Sequence, residues 1–268
     1  MTPLEDLFPL EDYRFHLTLR RGELREFFAP SLNSETILAE RRRWLSADGK
    51  RYADLQPEGR DAFERWAELV ASWGIRGGSC AELGGMLEPD FLLLTRQEDG
   101  EFRLRGGALV FPTSWALQEK LGQTLDSIHD VVPGLNDALA PTISRFLNKL
   151  RPDGPGYLRS NWGMAATPAL NLHPSQPRAL LTADLDPADV WVRVEDQILA
   201  GLIEDEAIVF GIRIEQVPLR HVLDDPRLRE GLLRALTTMP DALAEYKGLA
   251  AARPRLCQVC ARGAGERD

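Results

Sequence analysis

A strand, a tight turn and an apolar helix follow one another in residues 105–133, and this stretch constrains the fold most. Residues 108–111 are an uninterrupted apolar run, which predicts a buried strand. Pro112 should end that strand, because proline has no N–H to donate to a sheet ladder. Apolar residues then recur at helical spacing as far as His129. The pattern therefore predicts one helix over residues 113–129 with an apolar face.

His129 lies at the end of that apolar face. A neutral imidazole with apolar neighbours suits a ligand to a buried metal or to haem iron, since coordination needs a lone pair and apolar walls exclude water. A core histidine bonded to a backbone carbonyl would give the same pattern. The residues alone leave both interpretations open.

Composition excludes several classes of protein. Hydrophobic residues make up 44% of the 268 residues, which is enough for a core and argues against disorder. The net charge of −9 argues against binding to nucleic acids or anionic membranes, because both need a basic face. The sequence has no signal-peptide pattern and no apolar run near the ~18 residues of a membrane span. We therefore expect a cytoplasmic protein.

Helical periodicity predicts helices near residues 34–45 and 58–73. We expect the arginine run 41–43 to lie on the solvated face of the first helix. The glycine-rich stretch 74–85 lacks the order of a phosphate-binding loop, so it is predicted to be an ordinary loop. Further helices are predicted at 134–150, 226–238 and 240–251.

Alternation of apolar and polar residues predicts the strands. Residues 13–19 fit a short half-buried strand, and 90–111 a β-hairpin. Other strands are predicted at 158–162, 190–195 and 207–214. The loop 163–188 would leave His173 at the surface. The predicted fold class is α+β, with mostly antiparallel strands in one sheet and helices before, between and after them.

Cys257 and Cys260 form a single C-x-x-C in a predicted tail. Without a second pair or nearby histidines this is half of a zinc site, and a redox dithiol would need a βαβ context. The motif is thus either a metal or redox element or an incidental feature of the tail.

Five short motifs occur in order along the chain: Phe111-Pro112-x-Ser114-Trp115, Lys120-x-Gly122, Ile128-His129-x-x-Val132-Pro133, Asn161-Trp162 and Arg193-x-Glu195-x-Gln197. Their order resembles the haem-dependent oxidative N-demethylase α-subunit-like family, over roughly residues 40–240. The resemblance implies a PAS-like sheet that cradles haem. It divides the chain into an N-terminal arm (1–33), the family domain (34–252) and a flexible C-terminal tail (253–268).

The resemblance also implies the chemistry. His129 would be the axial ligand of haem b, and O2 would oxidise a small methylated amine such as dimethylamine to an amine and formaldehyde. NADPH, FMN and a 2Fe–2S centre would lie on separate reductase subunits, because this chain has neither the cysteines nor the dinucleotide fingerprint for them. The acidic surface could dock such a reductase. Homo-oligomerisation is left open.

The expected site residues follow from the same motifs. As catalytic residues we predict Asn161, Arg193 and Glu195. The predicted haem-binding residues are Phe111, Trp115, Lys120, His129, Val132, Trp162, Gln197 and Arg213. As a further alternative, Arg193, Glu195 and Gln197 could be a surface ladder across strands.

Three departures from the family pattern affect these predictions. Val131 stands where a proline is usual, Asp196 replaces a second arginine, and the stretch 201–203 replaces Arg-Leu-Pro. We expect Asp196 to make the pocket less positive and to weaken anion binding. Two other functions stay open: a haem- or small-ligand-binding sensor without turnover, and an assembly partner of an oxidase that has lost its cofactor.

Overall fold

The computed structural model describes residues 2–177 and 179–262, and its centre is a seven-stranded sheet. The strands lie in the order β1-β5-β6-β7-β3-β4-β2, and all neighbouring pairs are antiparallel. The α+β class with antiparallel strands is confirmed. The strands are β1 Arg20–Gly22, β2 Ala53–Leu55, β3 Asp90–Arg96, β4 Phe102–Ala108, β5 Gly156–Ala165, β6 Trp191–Ile203 and β7 Ala207–Pro218.

Helices precede, interrupt and follow the strands. They are α1 Leu4–Leu7, α2 Leu24–Phe27, α3 Ser34–Ala47, α4 Gly49–Tyr52, α5 Arg60–Ser72, α6 Cys80–Gly84, α7 Leu117–Lys120, α8 Leu125–His129, α9 Leu135–Leu147, α10 Leu219–Asp224, α11 Pro226–Thr238, α12 Asp241–Tyr246 and α13 Arg253–Arg262. Within the residues that the structure describes, none of them has the length and hydropathy needed to cross a bilayer.

The two faces of the sheet are covered by different helices. On one face, Val192 and Val194 of β6 pack with α10–α13, and further along the same face α5 buries Trp66. On the other face, Leu92 and Ile212 pack with residues of α7 and α8. This division follows from the period-2 alternation of side chains along each strand.

The predicted hairpin 90–111 is confirmed as β3 and β4, but its second strand ends at Ala108 instead of Phe111. Gly107 has φ +141°, and a Cβ added there would lie 2.1 Å from the carbonyl oxygen of Phe91. Only glycine fits this approach of two backbones. The chain leaves the sheet one residue later, so residues 109–116 are irregular.

The prediction of a single helix over 113–129 is wrong. The chain forms two short helices, α7 and α8, separated by Gly122 at φ +82°. Leu104 of β4 explains the break, because its carbonyl accepts from Gly122 N at 2.7 Å and its N–H donates to Gln123 O at 3.1 Å. Hydrogen bonds to the strand replace those that a continuous helix would need.

Arg41, predicted to be solvated, is fully buried. Its guanidinium donates to Asp90 at 2.8 Å and to the carbonyl of Gly84 at 2.6 Å. The carboxylate of Asp90 also accepts from the backbone N–H groups of Val110 (2.7 Å) and Phe111 (3.1 Å). The pair therefore attaches the irregular segment 109–116 to the start of β3.

Other predictions need correction. His173 is buried, and its ring packs at 5.4 Å from that of Tyr52. Residues 13–19 alternate in burial as predicted but pair with no strand among the described residues, and the loop 74–85 contains α6. Residues 253–262, assigned to a flexible tail, form α13 with Leu256 fully buried; 263–268 lie outside the described residues. The other domain boundaries stay predictions.

Replacing Arg41 with methionine should lower the free energy of unfolding by about 3–5 kcal/mol, because Asp90 would be left buried without its cation. Urea unfolding measures this change. Arg43→Met on the same helix is the control, since its ion pair with Glu40 is 3.7 Å long and mostly exposed. It should cost less than about 1 kcal/mol. Equal losses of stability in the two variants would show that the buried Arg41–Asp90 pair contributes no more than an exposed one.

Candidate functional site

His129 is the last residue of α8, and the elements around it fix its position. Thr124 caps the helix by accepting from Ser127 N at 3.2 Å, and Ile128 packs against the apolar face of the sheet. After the helix, Val132 N donates to the carbonyl of His129 at 2.9 Å. The Nδ1 atom of His129 is buried and has no hydrogen-bond partner. The alternative of an Nδ1–H bonded to a backbone carbonyl therefore has no support in the structure.

The imidazole of His129 is neutral at neutral pH. Burial lowers its pKa, and the positive charge of Arg159 lowers it further, while Asp126 opposes the shift. A neutral ring keeps a lone pair on one nitrogen, which is the form that coordinates iron.

Strand pairing brings the predicted polar residues onto one face of the sheet. Asn161 of β5 lies opposite Glu195 of β6, and Arg159 lies opposite Gln197. Arg193 is on the same face, since it is two residues from Glu195. Arg193, Glu195 and Gln197 of β6 therefore lie on the same face of the sheet as Asn161 and Arg159 of β5. Sequence reasoning missed Arg159, although alternation from Asn161 would have placed it there.

Arg193 is buried, and its donors are occupied by the protein. Its Nε donates to Thr113 Oγ1 at 3.0 Å. Its Nη atoms donate to four carbonyl oxygens, those of Phe111, Pro112, Ala169 and Leu170. Burial lowers its pKa to about 10, with Glu195 and Asp90 opposing, so it stays charged at neutral pH. Arg193 therefore holds two loops together.

Glu195 takes part in the same network. One of its oxygens accepts from the hydroxyl of Thr113, and the other accepts from Gln197 Nε2 at 3.1 Å. The Oε1 atom of Gln197 is buried without a partner. Arg193, Glu195 and Gln197 thus belong to one hydrogen-bonded network, and each of the three side chains is buried or half-buried.

Lys247 follows α12 and reaches the outer edge of β5. Its Nζ donates to the carbonyl of Trp162 at 2.7 Å and to Asn161 Oδ1 at 3.5 Å. Burial lowers its pKa to about 8, and Arg159 also lowers it, while Glu195 raises it. Nothing in the sequence around Lys247 distinguishes it from a surface lysine, so only the fold reveals it.

The charge of Arg159 lowers the pKa of both His129 and Lys247, which indicates that these three side chains lie near one another. Each keeps some accessible surface, yet desolvation is the largest cause of each pKa shift. Burial also raises the pKa of Tyr13, near Arg159, to about 12. The N-terminal segment therefore lies beside this group of side chains.

The structure places several predicted haem-binding residues elsewhere. The ring of Trp162 is on the opposite face, 5.1 Å from that of Phe8. Arg213 is also on that face and pairs with Glu88 at 2.6 Å. Phe111 is buried under Arg41 at 5.2 Å, and Lys120 ends α7.

Two predicted residues are close to the site: Trp115 lies beside the sheet face that carries Arg193, and Val132 lies beside His129. Trp115 packs in the apolar cluster with Ile128 and Ile214, and Val132 is three residues from His129. Asp196 is on the opposite face, where it accepts from Ser160 Oγ at 2.6 Å. The expectation that Asp196 makes the pocket less positive is therefore wrong.

The residues present fit a haem group. His129 offers a neutral ring with an unbonded buried nitrogen, and the cluster around Ile128 supplies apolar wall. Arg159 and Lys247 supply positive charge. No group of three or more His, Cys, Asp or Glu side chains in residues 2–177 and 179–262 could hold a metal ion. Haem iron needs only one such ligand from the protein, because the porphyrin supplies the others.

Comparison with known families gives a match over most of the sheet. The family described as haem-dependent oxidative N-demethylase, alpha subunit-like, matches residues 80–257, which is more than half of the chain. The chain belongs to this family. The matched range includes His129, β5, β6 and Lys247 but not Tyr13.

Lys247→Met should change how stability depends on pH. The folded state holds the Lys247 proton with a pKa near 8 and the unfolded state with one near 10.5. Between these values the unfolded chain binds more protons, so the free energy of unfolding of the wild type should rise with pH relative to the variant. Urea unfolding from pH 7 to 10.5 measures the difference. A pH-independent difference would show that Lys247 titrates normally.

Proposed function

We propose that this protein is the haem-binding oxygenase component of an oxidative N-demethylase. It would convert a small methylated amine to the demethylated amine and formaldehyde, with O2 as oxidant and electrons from a separate reductase. The observation that carries this proposal is the neutral His129 ring, with its unbonded buried nitrogen, inside the region that matches the family. We further propose that the sheet is a PAS-like cradle for haem b.

Each site residue then has a task. His129 would hold the iron, and bound haem would supply the redox chemistry that removes an N-methyl group. The apolar cluster around Ile128 excludes water. Glu195 would accept a proton from the ammonium form of the substrate, and Asn161 would orient the amine by hydrogen bonding. Arg193 would act only by holding the loops that carry Thr113.

The proposed reaction needs electrons, and we propose that another protein supplies them. A 2Fe–2S cluster needs four ligands, usually cysteines, and this chain has three cysteines, two of them on α13. The family description names an alpha subunit, which fits an enzyme with further subunits. We propose that NADPH, FMN and the 2Fe–2S centre lie on these subunits.

A sensor function is the second candidate. Hydrogen bonds within the protein favour this function. Both carboxylate oxygens of Glu195 accept hydrogen bonds from other side chains, and all three guanidinium nitrogens of Arg193 donate hydrogen bonds. Neither side chain is therefore free to act on a substrate. Formaldehyde release from whichever methylated amine the protein binds, with NADPH and a reductase present, separates the two functions. Stable ligand binding without formaldehyde would favour the sensor.

His129→Ala should abolish the Soret band of the protein reconstituted with haem, because the iron loses its only proposed protein ligand. The fold should persist, since Nδ1 of His129 makes no hydrogen bond and the expected loss of stability is about 1 kcal/mol. Absorbance at equal protein concentration and circular dichroism measure the two effects. His16→Ala, at an exposed histidine, is the control and should keep the band. An unchanged band in the His129 variant would refute the ligand assignment.

A further inference from the structure

Arg159 is a cation without a counterion. No described carboxylate forms an ion pair with its guanidinium; burial lowers its pKa, and Glu195 on the neighbouring strand only partly opposes this shift. Arg159 keeps some accessible surface, and its nitrogens form no hydrogen bond with another described residue. A half-buried guanidinium with free donors is a ready partner for a planar anion, because carboxylates match its fork of N–H groups.

Lys247 is the second such cation. Its ammonium donates to a backbone carbonyl and to an amide oxygen, which are both neutral, and lies 5.5 Å from the centre of the Trp162 ring, so it forms no ion pair with a described carboxylate. Asn161, which accepts one of these bonds, is two residues from Arg159 on the same face of β5. Strand geometry places side chains at this spacing about 7 Å apart. The two cations therefore border one space.

Glu195 cannot neutralise both cations. Its two oxygens already accept from Thr113 and Gln197, and one carboxylate carries a single negative charge. With His129 neutral, Arg159, Lys247 and Arg193 carry three positive charges, against the two negative charges of Glu195 and of Asp126 near His129. A simple methylammonium ion is itself a cation and would be repelled, whereas a carboxylate would be attracted.

We propose that Arg159 and Lys247 bind the carboxylate of the substrate, so that the substrate is an N-methylated amino acid rather than a simple methylamine. This inference rests on the proposed function and assigns its substrate class. The hydroxyl of Tyr13, near Arg159, provides a further donor for the carboxylate. With the carboxylate held there, the methylated amine would face His129, which lies within reach of the charge of Arg159.

A haem propionate has the same carboxylate chemistry as such a substrate. The nearby negative charge of Glu195 favours the amino acid. The amine of an amino acid can interact with the Glu195 carboxylate, whereas a propionate would place a second negative charge beside it. The experiment must nevertheless separate the two sources, since either would use the same two cations.

The test compares N,N-dimethylglycine with dimethylamine as ligands of the full-length, haem-loaded protein by isothermal titration calorimetry. We expect dimethylglycine to bind at least about tenfold more tightly, and Lys247→Met and Arg159→Met each to remove that preference. Dimethylamine affinity should not fall in either variant. Lys149→Met, at an exposed lysine, is the matched control and should change neither affinity. Equal binding of the two ligands by the wild type would overturn the inference.

The haem content of each variant distinguishes the source of the carboxylate. Variants that keep the Soret band and lose only dimethylglycine binding support the substrate assignment. Variants that lose the Soret band overturn it, because the cations would then serve a propionate. If the wild type itself binds no haem, the proposed function fails, and the same titration of the haem-free chain still decides whether a carboxylate is preferred.

Discussion

The guanidinium of Arg193 joins the sheet to the two irregular segments that shape the site. It donates to carbonyl oxygens of Phe111, Pro112, Ala169 and Leu170 and to the hydroxyl of Thr113. Burying one charge costs free energy, and the hydrogen bonds from this residue offset that cost. The segment that leads to α7 and α8 begins at these bonds, so the position of His129 depends on them.

The same face of the sheet combines a hydrogen-bonded polar network with two cations that form no ion pair among the described residues. Arg193, Thr113, Glu195 and Gln197 form a chain of hydrogen bonds, and Arg193 also donates to four backbone carbonyls, which makes that part of the site rigid. Arg159 and Lys247 are poorly solvated cations without ion pairs among the described residues. Such groups lower stability and are typical of functional sites, where a ligand supplies the missing partner.

Local patterns in the sequence predict much of this fold and part of the site. Alternation correctly predicted that β6 and β7 begin near residues 190 and 207, but β6 continues to Ile203, beyond the predicted end at 195. The shared face of Arg193, Glu195 and Gln197 follows from the same alternation. The helix over 113–129 was mispredicted because β4 competes for its backbone at Gly122, a contact between distant segments. The burial of Arg41 and the position of Lys247 depend likewise on partners far along the chain, which periodicity does not register.

A crystal structure of the haem-loaded chain tests the central claim most directly. The account predicts iron bonded to an imidazole nitrogen of His129, with the porphyrin beside the face of β5 and β6 that carries Asn161 and Glu195. Iron bound through another residue, or a His129 ring bonded to a backbone carbonyl with the haem elsewhere, would contradict it.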